Sequence, residues 1–170
     1  MWRAPYAAVV PTPLPPHHAH CMGCGPENPA ALNLRFAMDD GRVHAMLTLD
    51  DRHQGAPGFA HGGAVATALD DSLGTLLIGV GRPGVTARLE VNYRRPAFLG
   101  REYEIEAWVD EIDGRKIHGL AELRDAGGEV VADARALFVA VEPEHFLQGS
   151  DQIPEAWREK WWREGKPLPY

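Results

Sequence analysis

One long helical segment among strands constrains the fold of this chain more than any other feature. From about Gly62 to Ile78, apolar residues recur every three or four positions, which is typical of a helix with one buried face. Two alternating segments precede it and four follow it. Because one helix cannot cover both faces of a six-stranded sheet, the pattern predicts a curved antiparallel sheet wrapped around the helix.

Turn signals separate the alternating segments and indicate hairpins. Asp40-Gly41 lies between the first two segments, and Asp113-Gly114 lies between two of the last four. The chain is therefore predicted to be α+β, with about six strands. Such a sheet leaves edges and an open face, which favours association with a second copy, as a homodimer or a dimer of dimers.

Three ranges of the chain differ in composition. Residues 1–30 are rich in proline and histidine and are expected to be an extended N-terminal segment. Residues 31–142 contain the predicted domain. Residues 143–170 are a C-terminal extension, in which Trp157 and Trp161 indicate a short helix from Pro154.

Charge and composition exclude several classes of partner. The formal net charge of −7 argues against nucleic acid and against an anionic membrane surface. No apolar run reaches the length of a membrane span, and the run of four at 7–10 is too short for a signal peptide. Two cysteines are too few for a secreted disulfide scaffold. We therefore expect a cytoplasmic protein.

Two glycines open the predicted helix. A helix N-terminus presents unpaired backbone N–H groups and a partial positive charge, and glycine lets a ligand atom approach that backbone. Gly62 and Gly63 therefore suit a developing oxyanion, as in acyl transfer. The alternative is that they only turn the loop into the helix.

Asp70 and Asp71 follow on the same helix. Asp70 shares its face with small apolar residues, where a carboxylate is costly without a function, whereas Asp71 lies beside threonines. A carboxylate satisfied by a nearby hydroxyl is the alternative. Eight residues separate Asp70 from Gly62, a rise of roughly 12 Å. Only an antiparallel helix from a second copy brings the two together, so this spacing predicts a composite site.

The motif His61-Gly62-Gly63, followed nine residues after the histidine by Asp70, resembles the hotdog-fold acyl-CoA thioesterases, in particular the PaaI-like group. The likeness covers roughly 21–141 and includes "CMGCGPENPAALNLRF", "HQGAPGFAHGG" and "VNYRRPAFLG". It implies hydrolysis of an acyl-CoA with no metal or redox cofactor. The Gly62 N–H would polarise the thioester carbonyl, and Asp70 of the partner subunit would act as general base or nucleophile.

The resemblance also assigns supporting residues. Gln54 matches a loop amide that helps hold the carbonyl, and Thr86 matches a hydroxyl that positions the water. Strand alternation puts Thr86 on the face of Arg88 and Glu90, so it reaches the site only if the strand begins irregularly. Asp71 stands where many relatives carry glutamate, and its role stays open.

The remaining candidate residues position the backbone at the site or bind the substrate. His61 is expected to order the turn by bonding to backbone rather than to serve as general base. Basic side chains at the end of a strand suit the phosphates of coenzyme A, with a solvated strand end as the alternative. The candidate substrate-binding residues are Gly63, Asn92, Arg94 and Arg95.

Three histidines and a Cys-x-x-Cys pair resemble half of a zinc site: His17, His18, His20, Cys21 and Cys24. No second ligand cluster is apparent, and a structural zinc normally joins distant segments. The favoured interpretation is therefore a turn rich in small residues, without a metal.

Three alternative functions remain. A non-catalytic acyl-CoA binder or sensor would keep the glycines but would not need Asp70. A hydratase of the same fold would need an Asp/His pair, whereas His61 and Asp70 lie at opposite ends of the motif. A zinc-dependent interaction module is the third.

Overall fold

One α-helix, two short 3-10 helices (Asp51–His53 and Pro143–Gln148) and a seven-stranded sheet make up the regular structure of a computed structural model that describes residues 12–149. The predicted C-terminal helix from Pro154, with Trp157 and Trp161, lies outside these residues. No helix in the described range is long and apolar enough to cross a membrane. The elements are β1 Thr12–Pro13, β2 Arg35–Asp39, β3 Arg42–Thr48, α1 Gly62–Val80, β4 Gly84–Tyr93, β5 Glu102–Asp113, β6 Lys116–Asp125 and β7 Val130–Ala140.

The sheet is antiparallel throughout, in the order β1-β2-β3-β5-β6-β7-β4. Helix α1 packs against every strand from β2 to β7. The predicted α+β fold, a sheet curved around one helix, is confirmed, and the six long strands are those that alternation indicates. The seventh, β1, has only two residues and adds to the edge beside β2.

Helix α1 fits the sheet because its apolar stripe is buried and the sheet leaves space for it. Leu69, Leu73 and Leu76 are almost completely buried. Gly119 of β6 lies directly over this stripe, where an added Cβ would meet Leu73 at 2.8 Å. Gly81 ends the helix in the left-handed conformation that glycine favours, with φ of 73°.

The residues before the sheet fold back against the domain. Between His17 and Gly25 the chain makes successive turns instead of running extended. Cys24 is completely buried, and Leu32 and Leu34 join the same core. These turns therefore cover one side of α1.

Strand β4 forms one edge of the sheet among residues 12–149, since it pairs only with β7. Its register shifts between Thr86 and Arg88, which makes Ala87 a bulge. A bulge reverses which side chains face the helix on one side of it. This is the irregular strand start that Thr86 requires in order to face α1.

Candidate active site

The N-terminus of α1 presents one backbone donor. His61 caps the helix, and its Nδ1 accepts a 2.9 Å hydrogen bond from the Gly63 N–H. This is the backbone bond that the sequence predicts for His61, and it occupies the Gly63 donor. The Gly62 N–H has no acceptor within residues 12–149. Of the two glycines, Gly62 is thus the one that can donate to a ligand.

A cavity of about 350 Å³ opens beside Gly62. The Tyr93 hydroxyl donates a 2.8 Å hydrogen bond to the Gly62 carbonyl, which fixes this turn of backbone against β4. The sequence gives no signal for this contact, because Tyr93 reads as one more alternating strand residue. The cavity is also lined by Phe59, Ala60, Val65, Arg94, Arg95 and Pro96.

Gln54 lies in the loop before the helix and is exposed. It forms an isolated bridge with Ala60, and its Oε1 accepts a 3.0 Å hydrogen bond from the Gly58 N–H. The loop is thus closed on itself next to the start of α1. With the oxygen engaged, the amide nitrogen is the end of the side chain that can donate to a carbonyl.

Asp70 is half-buried, and the Thr86 hydroxyl donates a 3.2 Å hydrogen bond to its Oδ1. Burial raises the pKa of the Asp70 carboxyl above its ordinary value, and the Thr86 bond partly opposes this. A cavity of about 180 Å³ lies against both side chains. Asp70 therefore combines access to a small ligand with the raised pKa of a base.

Asp71 is the more enclosed of the two carboxylates, contrary to the expectation that Asp70 is buried among apolar residues. Its side chain is 11% exposed, and its Oδ1 lies 2.8 Å from His17 Nδ1 and 3.2 Å from Cys21 Sγ. The reason is that the N-terminal turns cover its face of α1. Sequence reasoning missed these contacts because fifty residues separate Cys21 from Asp71.

The enclosure around Asp71 shifts the pKa values of the ionisable side chains that lie there. Burial disfavours the charged form of His17, but hydrogen bonds to Asp71 and Cys21 outweigh it and raise its pKa to about 9. A hydrogen bond from Cys24 lowers the pKa of Cys21, and the same bond together with burial raises the pKa of Cys24. Burial raises the pKa of Asp71. These four residues are candidate metal ligands, whereas His18 and His20 are exposed.

The predicted substrate-binding residues at the end of β4 are exposed but paired with acids. The Asn92 amide and the Arg94 guanidinium both bond to Asp133, at 2.7 and 2.5 Å. Arg95 bonds to Glu129 at 2.7 Å. An anionic ligand would therefore compete with carboxylates for these side chains.

Within one chain the structure does not bring Gly62 and Asp70 together. Both lie on the uninterrupted helix α1, about two turns apart. Their cavities have no residue in common. The described chain thus carries a donor end and a carboxylate end of a possible site, without a contact between them.

Comparison with known proteins identifies relatives of this arrangement. Residues 57–132 match the family model described as the Thioesterase superfamily. Acyl-coenzyme A thioesterase THEM4 of Mus musculus is 35% identical over 92 residues, which are 54% of this chain and 40% of that protein. The chain thus spans well under two thirds of this curated relative.

Solved structures share the fold. The crystal structure of protein RHA08564, a thioesterase superfamily protein, has 36% identity and a TM-score of 0.68, over 71% of this chain and 60% of that chain. The Escherichia coli PaaI protein from the phenylacetic acid degradation operon has 21% identity and a TM-score of 0.62, over 68% and 86% of the two chains. The second likeness concerns the fold alone.

Proposed function

We propose that the protein hydrolyses the thioester of an acyl-CoA to a free acid and coenzyme A, because residues 57–132 match the Thioesterase superfamily model and the fold resembles that of a thioesterase superfamily protein. The observation that carries this proposal is the Gly62 N–H at the positive end of α1, which has no acceptor among the described residues. The printed name of the mouse relative, an acyl-coenzyme A thioesterase, supports the substrate class.

The Gly62 N–H binds the carbonyl oxygen of the thioester. As water adds to the carbonyl carbon, negative charge develops on this oxygen, and the helix dipole and the N–H both stabilise it. Removing one such donor from an acyl-transfer enzyme typically costs about 10²–10³-fold in rate. The cap bond from Gly63 to His61 holds the turn in the orientation that this requires.

Asp70 takes the proton from the attacking water. The Thr86 hydroxyl occupies one carboxylate oxygen, which leaves Oδ2 for the water. The carbon–sulfur bond then breaks, and the proton passes to the departing thiolate, so Asp70 is ionised again. In the nucleophilic variant, Asp70 attacks the thioester carbonyl, the carbon–sulfur bond breaks to release the coenzyme A thiolate, and water then hydrolyses the resulting anhydride at the Asp70 carbonyl, which frees the acid and restores Asp70.

The reacting groups come from two subunits. A rise of roughly 12 Å along α1 is too long for Asp70 to serve a carbonyl at its own Gly62. Strand β4 is the edge on which Thr86 lies, and most of its residues are exposed. Pairing of this edge with a second copy buries it and lets Asp70 of the partner subunit approach Gly62.

Coenzyme A enters along the cavity beside Gly62. Exposed Arg94 and Arg95 line that cavity, and their guanidinium groups suit the phosphates in exchange for their present carboxylate partners. The Gln54 amide is the second donor for the carbonyl. The cytoplasmic location and the homodimer or dimer of dimers remain predictions of the sequence.

The test is turnover of a panel of short, long and aromatic acyl-CoAs, followed by release of free thiol. Asp70→Asn is expected to lower kcat by about 10²–10⁴-fold, the usual cost of losing a general base, with the fold retained. Glu111→Gln, which removes an exposed carboxylate from β5 away from the β4 edge, is the control and is expected to keep the wild-type rate. Wild-type rates in Asp70→Asn would contradict the proposal. Tight binding of the panel without any turnover would indicate an acyl-CoA binder.

Single-turnover hydrolysis in ¹⁸O-water separates the two roles of Asp70. A nucleophile acquires the label in its own carboxylate, whereas a general base does not.

A further inference from the structure

A cluster that the proposed hydrolysis does not use lies where the N-terminal turns meet α1. His17, Cys21 and Cys24 come from the turns and Asp71 comes from the helix, and their ligand atoms all lie within 4.8 Å of one another. Cys24 is completely buried, and the other three are partly buried. We refer to these four residues as the His17–Asp71 cluster.

The turn that carries the two cysteines has no room for side chains at its glycines. The Gly25 N–H closes the turn with a 3.0 Å bond to the Cys21 carbonyl, and a Cβ on Gly25 would lie 2.3 Å from the Cys21 nitrogen. A Cβ on Gly23 would lie 2.2 Å from Asp71 Oδ2. Two glycines thus let the Cys-x-x-Cys turn close directly onto the carboxylate.

A backbone N–H group points at one of the sulfur atoms. Cys24 Sγ accepts a 3.2 Å hydrogen bond from the His17 N–H. N–H groups directed at sulfur favour the thiolate, which is the form of cysteine that binds a metal.

The histidine is held with one ring nitrogen facing the cluster. Thr75 donates its hydroxyl hydrogen to the Asp71 carbonyl at 2.8 Å, so at 3.3 Å from His17 Nε2 it accepts from the ring. Nδ1 then faces the cluster, 2.8 Å from Asp71 Oδ1 and 3.4 Å from Cys24 Sγ. A partner on the far ring nitrogen, which fixes tautomer and orientation, is typical of histidines that bind metals.

We propose that His17, Cys21, Cys24 and Asp71 bind one zinc ion. Two thiolates, an imidazole and a carboxylate are donors that suit zinc, and four protein ligands make a closed, structural site. Bonds of about 2.0–2.3 Å in a tetrahedral site put donor atoms roughly 3.2–3.8 Å apart. Within the cluster, separations of 3.2 and 3.4 Å fall in this range, one of 2.8 Å is shorter, and no pair is more than 4.8 Å apart, so rotations of the side chains admit the ion.

Asp71 supplies the further metal ligand that the sequence near the Cys-x-x-Cys segment does not provide. It is a ligand from a distant part of the chain, fifty residues from Cys21, so the ion joins the N-terminal turns to the central helix. Its Oδ2 is buried and has no hydrogen-bond partner in the part of the chain that the structure describes. The zinc ion thereby fixes the turns over the face of α1 that adjoins Asp70.

The test uses tag-free, full-length protein purified with a thiol reductant and dialysed against trace zinc. Mass spectrometry of metals is expected to find one zinc per chain. Replacement by Co²⁺ is expected to give the intense thiolate-to-cobalt absorption of a tetrahedral site. Cys24→Ser is expected to weaken zinc affinity by more than about 100-fold, since even partners outside the ligand set cost 10–100-fold.

Matched variants define the ligand set. His17→Gln is expected to weaken zinc binding, whereas His18→Gln, at an exposed neighbouring histidine, is expected to leave it unchanged. Asp71→Asn is expected to weaken it, whereas Asp70→Asn is expected to lose turnover and keep its zinc. The two proposals can therefore fail independently.

Three results would overturn the zinc site. The first is a reduced wild-type protein that binds no zinc and gives no thiolate-to-cobalt band, which would leave a proton-linked His17–Asp71 ion pair. The second is a wild-type protein lighter by two hydrogens because Cys21 and Cys24 form a disulfide under reducing conditions. The third is a folded Cys24→Ser variant with wild-type affinity. If that variant does not fold, the cobalt spectrum of the wild type decides.

Discussion

Asp70 and Asp71 are the same residue at adjacent positions of one helix, yet the structure gives them different surroundings. Successive positions on an α-helix point about 100° apart. Asp70 faces the edge strand β4, where it accepts a hydrogen bond from the Thr86 hydroxyl and lines a small cavity that His17 and Asp71 also line. Asp71 faces the N-terminal turns, which enclose it with an imidazole and a thiol. What covers each face of α1 sets the chemistry of the carboxylate on it.

We call the side of α1 with Asp70, which faces β4, the open face, and the side with Asp71, under the N-terminal turns, the covered face. The carboxylates on these two faces have different roles. Burial raises the pKa of both carboxyls, but a hydroxyl opposes it at Asp70 and a histidine opposes it at Asp71. A carboxylate held by one hydroxyl keeps an oxygen for water, which suits proton transfer. A carboxylate that contacts His17 and Cys21 has a structural role instead.

After Asp70→Asn, the largest expected effect concerns the backbone donor at Gly62. Gly62→Pro removes the backbone N–H at the first helical position, where proline is well tolerated, and His61 before it is already extended (φ −64°, ψ 134°). We expect kcat to fall by about 10²–10³-fold with little loss of structure by circular dichroism. Gly62→Ala keeps the N–H, and its Cβ would lie an ordinary 3.4 Å from the Tyr93 hydroxyl. Equal losses in both variants would show that the N–H is not the donor.

A smaller effect distinguishes the two threonines that bond near these carboxylates. Thr86→Val removes the hydroxyl that Asp70 accepts from and is expected to lower kcat about tenfold. Since that bond lowers the pKa of Asp70, its loss raises the pKa and moves the acidic limb of the pH–rate profile to higher pH. Thr75→Val, on the covered face, is expected to leave both rate and profile near wild type. An unmoved profile in Thr86→Val would break the link between Thr86 and the base.

The smallest effects are in stability, and their signs differ. Because burial raises the pKa of Asp70, its charged form destabilises the folded protein above that pKa, so Asp70→Asn is expected to raise Tm at pH 7 by about 1–3 °C. Below pH 3.8, the ordinary value, the carboxyl is protonated in both states and the difference vanishes. Asp71→Ala removes the oxygen that His17 and Cys21 contact and is expected to lower the free energy of unfolding by about 1–3 kcal/mol. Calorimetry of the variants at pH 7 and below pH 3.8 measures these changes. Stability changes of the same sign at Asp70 and Asp71 would contradict the prediction.

The fold could be predicted because its signals are local. Apolar spacing of three and four residues defines α1, and alternation with turn residues defines the six long strands. The cap at His61 follows from its place before two glycines. A count of one helix against six strands then leaves few arrangements other than a sheet around the helix.

The covered face could not be predicted, because its contacts depend on where the N-terminal segment folds. Prolines and histidines indicate only a lead-in, and nothing in their spacing points to Asp71, fifty residues later. The bulge at Ala87 is likewise a property of strand pairing and not of composition. Helical spacing indicated that Asp70 is the buried carboxylate, but burial also depends on what packs over each face of the helix.

Complementation between two inactive variants tests the shared site most directly. A heterodimer of Asp70→Asn and Gly62→Pro subunits, isolated with two affinity tags, contains one site with both groups intact, formed by Gly62 of the first subunit and Asp70 of the second. If the site lies between subunits, this heterodimer is expected to regain about half of the wild-type turnover, although each variant alone is inactive. Turnover no higher than that of the two variants would contradict a site shared between subunits.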